Sequence, residues 1–93
     1  MTEFEWDPTK ASSNQQKHGI SFVEAATVFF DPFSVTVSDP GPSIDENRFA
    51  ITGLSYKGQA IVVVHVDRGD RIRIISARLA TASERQNYES GDE

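Results

Sequence analysis

The stretch GQAIVVVHVDRGDRIRIISAR, residues 58–78, decides the fold. Ile61 to Val66 is a nearly unbroken apolar, β-branched run, Asp67-Arg68-Gly69-Asp70 is turn chemistry, and Arg71 to Arg78 alternates charge with isoleucine. This is the signature of a β-hairpin. With Asp67 opposite Asp70, Val66 faces Arg71, His65 faces Ile72 and Val64 faces Arg73. One face then carries Val66, Val64, Val62, Ala60, Ile75 and Ala77, with Arg71 and Arg73 near its open end. The other carries His65, Val63, Ile61, Gln59, Ile72, Ile74, Ser76 and Arg78, because side-chain direction has period two.

Working outward, Arg48 to Leu54 (RFAITGL) reads as a preceding strand, turned into the hairpin by Ser55-Tyr56-Lys57-Gly58. Placing Leu54 opposite Gln59 sets Phe49 against Val64, Ile51 against Val62 and Arg48 against His65. The expectation is an apolar face (Phe49, Ile51, Val62, Val64, Ile75) that seats helices. A mixed face then gathers Arg48, His65, Thr52, Ser76, Gln59 and Arg78 for chemistry.

The N-terminal half supplies the helices. Asp7 caps and Pro8 opens a mostly exposed helix that runs to Lys17-His18 and stops at Gly19. Ser21-Phe22-Val23-Glu24 reads as a capping box with Ile20 as its hydrophobic staple. The helix it starts carries Phe22, Ala25, Ala26 and Phe29 at three- and four-residue spacing, the core stripe, and ends at Asp31-Pro32. Phe33 to Ser38 reads as a first strand, Asp39-Pro40-Gly41-Pro42-Ser43 as a break and Ile44 to Asn47 as an acidic approach to the next strand. Thr81-Ala82-Ser83-Glu84 opens a short terminal helix to Tyr88, and residues 89–93 read as a frayed tail. The predicted class is α+β: two N-terminal helices, a four-stranded antiparallel sheet backed on one face, and a short C-terminal helix.

Ninety-three residues fit one domain spanning 1–93. The chain has no cysteine, hence no disulfide or thiolate chemistry, and no apolar run near the ~18 residues of a membrane span. A cytoplasmic location is expected. The net charge of −5 is unevenly spread: residues 1–47 hold two bases against eight acids, while residues 48–88 hold seven bases, six of them Arg, against three acids. Arginine suits bidentate contacts with phosphate or carboxylate; charged edge strands that discourage aggregation are the competing reading.

Several stretches together resemble the BrnT toxin family. They are Phe4-Glu5-Trp6-Asp7, Lys17-His18-Gly19 with Ser21-Phe22 and Glu24-Ala25, and Arg48-Phe49. To these add Gly69 followed by Ile72-Arg73-Ile74-Ile75-Ser76-Ala77-Arg78, and Ala80-Thr81 with Glu84-Arg85 and Tyr88-Glu89. The resemblance implies a small RelE-like fold and a type II toxin that cleaves RNA without metal and so inhibits translation. It also implies a BrnA-like ribbon-helix-helix antitoxin, with operator DNA reached only through that antitoxin. No cofactor, metal or membrane partner is implied.

RNA cleavage by its own 2′-hydroxyl needs a base, an acid and positive charge on the reacting phosphate. His65 suits base or acid, since its ordinary pKa is near neutrality; the alternative is a partly buried strand histidine. Arg48 and Arg78 are the candidates for stabilising the transition state. Tyr88 is a stacking or proton-donating candidate, or else a packing contact. Arg71, Arg73 and Lys57 are candidate RNA contacts, with Arg73 on the opposite face unless the register is off by one. Lys17 and His18 read as favourable charges at a helix C-terminus. With two histidines and no cysteine a structural zinc site is not expected. The rival reading is a non-catalytic protein-interaction or RNA-binding module of the same fold.

Overall fold

The computed structural model describes residues 2–39 and 47–91. The chain forms β1 (Glu3–Glu5), α1 (Pro8–His18), α2 (Phe22–Thr27) continued by a 3-10 turn (Val28–Phe30), β2 (Val35–Ser38), β3 (Arg48–Leu54), β4 (Ala60–Asp67), β5 (Arg71–Leu79) and α3 (Ala82–Ser90). The strands lie in the order β1-β5-β4-β3-β2. The α+β class holds, but the sheet is five-stranded and mixed rather than four-stranded and antiparallel, because β1 adds to β5 in parallel. That added strand is polar and three residues long, and cross-strand charge fixes it: Glu3 lies opposite Arg71 and Glu5 opposite Arg73.

Both ends of α1 follow the sequence. Asp7 accepts from Thr9 N at 2.8 Å, and Gly19 closes the helix at φ +72°. Ser21 Oγ accepts from Glu24 N, but the Glu24 carboxylate does not return to complete the box. It is buried instead, accepting from Ser55 Oγ and Gln59 Nε2 at 2.7 Å each, which ties α2 to the β3–β4 turn. Inside the sparsely apolar α1, Asn14 is buried and clasps Ala77 by both backbone groups, donating to its carbonyl at 2.9 Å and accepting from its N–H at 3.1 Å. An amide side chain thereby pairs with β5 beyond the reach of β1, covering part of that edge.

Two turns set the faces of the sheet, and both differ from expectation. Between β3 and β4, Ser55 N donates to Gln59 O, so the loop holds three residues, not four, and Leu54 pairs with Ala60. This one-residue shift turns every β3 side chain over. Phe49 now lies beside His65 and Ile51 beside Val63, while Arg48 pairs with Val66. At the hairpin, Arg68 N donates to Arg71 O around Gly69 at φ +82°, shifting the pairing by two residues, which preserves faces. A bulge at Val64/His65 then takes up one extra residue of β5, so Ser76 pairs with Val64 and Arg78 with Val62.

In β4 the helix layer therefore packs on the face opposite to the one expected, on Ile61 and Val63 rather than Val62 and Val64, whereas Ile51 of β3 faces the helices as expected. Ile20, Phe22, Ala25 and Val28 meet Ile51, Ile61, Val63, Ile74 and Ala77 in one core, edged by Phe4, Trp6 and Phe29. Each large apolar side chain buried there contributes on the order of 1.5–3 kcal/mol. Gly53 permits the closest approach: a Cβ at this position would stand 3.0 Å from Asp31 Oδ2 and Ser34 Cβ and 3.1 Å from Val28 Cγ1. Among the described residues α3 is the helix that leans over the other sheet face, so the helices do not all lie on one side. Glu89 and Ser90 continue α3 and Gly91 caps it, where a frayed tail was expected. Most of the predicted break and of the approach to β3, with the last two residues, lies outside the described residues.

Candidate active site

The open face is built in rows that cross the strands. Nearest the hairpin tip the row is Arg48, Val66 and Arg73; the next is Ala50, Val64 and Ser76; the third is Thr52, Val62 and Arg78. Arg48 and Arg78 thus share a face but stand four residues apart along the sheet, roughly 13 Å at strand rise. Arg73, expected on the far side, is the cation adjacent to Arg48 through Val66. The Arg48 Nε is out of solvent and makes no hydrogen bond among the described residues. Removing an uncompensated guanidinium donor from water is costly, and an anion bound at this end of the sheet would relieve that cost.

The flanking arginines are partly neutralised. Arg73 lies 3.6 Å from the Glu5 carboxylate, Arg71 lies 3.3 Å from Glu5 and 3.8 Å from Glu3, and Arg68 lies 3.7 Å from Glu5. These half-exposed pairs are individually weak and readily exchanged for other anions. Lys57 is remote, in the β3–β4 turn at the other end, 3.9 Å from Glu24.

Arg78 is engaged more firmly. It donates to both oxygens of Glu84, at 2.8 and 2.9 Å, and Glu84 completes a capping box with Thr81 that starts α3. The Arg78 hydrogen bonds hold the Glu84 carboxyl down at about 2, despite opposition from burial. The far end of α3 is fixed by Tyr88, whose hydroxyl donates to Asp31 Oδ2 at 2.5 Å. Asp31 also accepts from Leu54 N and Phe33 N. Burial opposes charge on Asp31, but these bonds outweigh it and keep its pKa below the ordinary 3.8. Burial and the bond to Asp31 push the Tyr88 phenol up to about 12, so it stays protonated near neutrality with its proton committed. Between α3 and the sheet runs a groove enclosing about 400 Å3, floored by Ala50, Val62 and Val64 and walled by Val35, Val37 and Tyr88.

His65 does not join this face. Only 5% exposed, it lies under Phe29, ring centres 4.7 Å apart and edge-on, and stacks on Phe49 at 5.9 Å. Its Nδ1 is 3.3 Å from Val63 O, and burial lowers its pKa, leaving a neutral ring. The expected convergence of His65 with Arg48 and Arg78 is thereby corrected, and the cause is the one-residue shift of β3 together with the bulge in β5. Asp31 and Asn87 were not anticipated: Asp31 read as a helix end, and Asn87 carried no signal.

A family model described as the ribonuclease toxin BrnT of type II toxin–antitoxin systems matches residues 6–84. The chain belongs to the BrnT family. The fold agrees with that of the ribonuclease toxin BrnT from Brucella abortus, solved at 1.1 Å, at a TM-score of 0.67 and 21% identity over 87% of this chain and 99% of that one. No curated protein matches in sequence. Membership of the BrnT family brings with it the class of ribonuclease toxin and an antitoxin partner. The matched stretch holds Arg48, Arg73, Arg78 and Glu84, whereas β1 precedes it and Asn87 and Tyr88 follow it. No described helix is long and apolar enough to cross a membrane.

Proposed function

We propose that this chain is a metal-independent ribonuclease that inhibits translation by cleaving RNA across the open face of its sheet. Arg48 takes the scissile phosphate, and Arg73 and Arg78 flank it along the RNA backbone. Arg71 extends the basic strip towards the hairpin tip, while Lys57 lies too far away to take part. The observation that carries this reading is the Arg48 guanidinium, whose buried Nε lacks a partner among the described residues on the sheet face left clear by α1 and α2. A preorganised guanidinium placed where phosphorane charge develops contributes about 10²–10³ in rate in comparable sites. His65, sealed under Phe29, has no part in the reaction.

The partner in this proposal is a BrnA-like ribbon-helix-helix antitoxin in the cytoplasm, and the pair reaches operator DNA through the antitoxin. Expression without the antitoxin should arrest growth together with loss of cellular RNA, and Arg48→Ala should relieve both. Growth arrest that persists undiminished in Arg48→Ala contradicts the assignment, and unimpaired growth with the wild-type chain favours a non-catalytic interaction module.

A further inference from the structure

The groove beneath α3 has a composition that the phosphate site alone does not account for. Its floor is apolar (Ala50, Val62, Val64), one wall is the Tyr88 ring, and polar groups stand at its rim. Tyr88 cannot swing freely, because its hydroxyl is tied to Asp31. On the same wall the Asn87 side-chain amide makes no hydrogen bond among the described residues, and Asp39 lines the rim. At about 400 Å3 the groove lies within the range of clefts that hold small ligands. Ala50 is two residues from Arg48 on the same strand face, roughly 7 Å, so a phosphate on Arg48 leaves its own sugar and base within reach of the groove.

We propose that this groove is a subsite for one unpaired nucleobase of the RNA, stacked on Tyr88 and read along its edge by Asn87. The inference rests on the ribonuclease reading above and adds to it a substrate requirement: the cleaved strand must be single-stranded at this position. A fixed aromatic ring gives a base a stacking partner, a carboxamide offers one donor and one acceptor to its edge, and a rim carboxylate accepts from an exocyclic amine. The charges nearby also fit: Glu84 is neutralised by Arg78, and Arg48 lies one row beyond Ala50 on the same strand face. An apolar peptide side chain would leave Asn87 and Asp39 unused.

The test is nuclear magnetic resonance on the full chain, following the Val62 and Val64 methyl groups and the Asn87 side-chain amide. The probes are the four nucleoside 3′-monophosphates, with ribose 5-phosphate as the baseless control. The nucleotides should shift these signals while ribose 5-phosphate leaves them in place. Ala50→Leu, which fills the floor, should weaken nucleotide binding at least about tenfold, the order of a lost base stack. Asn87→Ala should remove most of the wild type's preference among the four bases, about tenfold for a two-bond amide contact. Unmoved methyl signals, an equal response to the baseless control, or a wild type indifferent to the base would overturn the proposal. Nucleotide binding here in a chain that cleaves no RNA would sink the ribonuclease reading and leave the subsite standing.

Discussion

Replacing His65 with Phe should leave RNA cleavage intact and flatten the acid side of the stability profile. The ring is 5% exposed and held between Phe29 and Phe49, so a phenyl group of similar shape keeps those contacts. It forgoes the bond to Val63 O, a loss of about 0.5–1.5 kcal/mol offset in part by removing polar nitrogens from an apolar site. The net change near pH 7.5 is expected to stay within about 1 kcal/mol, against roughly 3–5 kcal/mol for truncation of a comparable aromatic to Ala. Acid separates the two chains further. Burial lowers the folded pKa of His65 below its ordinary 6.5, so below that value the unfolded chain binds a proton that the folded chain resists. Stability from this group is fully present above 6.5 and declines as the pH falls towards the folded pKa, at no more than about 1.4 kcal/mol per pH unit. Urea denaturation of both proteins between pH 7.5 and 5.5 measures the difference. The wild type should lose on the order of 1 kcal/mol more than His65→Phe over that range. Parallel curves would refute the burial argument, and a folded His65→Phe with cleavage reduced about a hundredfold would return the imidazole to the chemistry.

Gly53→Ala should destabilise the chain by about 1–3 kcal/mol in urea melts, since the added methyl meets Asp31, Ser34 and Val28 at 3.0–3.1 Å. Tyr88→Phe removes the donor to Asp31 and should cost about 1–2 kcal/mol, visible as faster amide exchange within α3 while the β4 and β5 amides remain protected. Glu84, held near 2 when folded against an ordinary 4.5, stabilises the chain above 4.5, and that contribution drains away as the pH falls towards 2. Because Arg78 and Glu84 are each about one-third or more exposed, we expect only about 1 kcal/mol from this pair, seen as α3 loosening first on acidification and as no such step in Glu84→Gln.

Much of this architecture was legible from local chemistry. Asp7, Pro8 and Gly19 bound α1, the Phe22–Phe29 stripe marks the core helix, and β-branched runs mark β3 to β5; each depends on neighbours a few residues away. The faces were not legible, because a three-residue loop at Ser55–Gln59 and a bulge at Ile75 each move side chains across the sheet. Neither changes the hydrophobic pattern enough to be read: β4 is apolar on both faces, so Val62 and Val64 looked as fit for the helix layer as Ile61 and Val63. β1 was hidden for a different reason, being three polar-flanked residues whose pairing is set by arginines nearly seventy positions away. The arginines were correctly picked out as the chain's cationic half, but their shared face emerged only from the pairing, which joins Arg48 to Arg73 and parts both from His65.

The most direct measurement is cleavage of an unstructured RNA in chelating buffer by the purified chain, by Arg48→Ala and by His65→Phe, with urea midpoints recorded beside each rate. The wild type and His65→Phe should both cleave, and a folded Arg48→Ala should do so at a rate at least about tenfold lower. Cleavage by Arg48→Ala at the wild-type rate, or cleavage abolished by the chelator, would contradict the proposed mechanism.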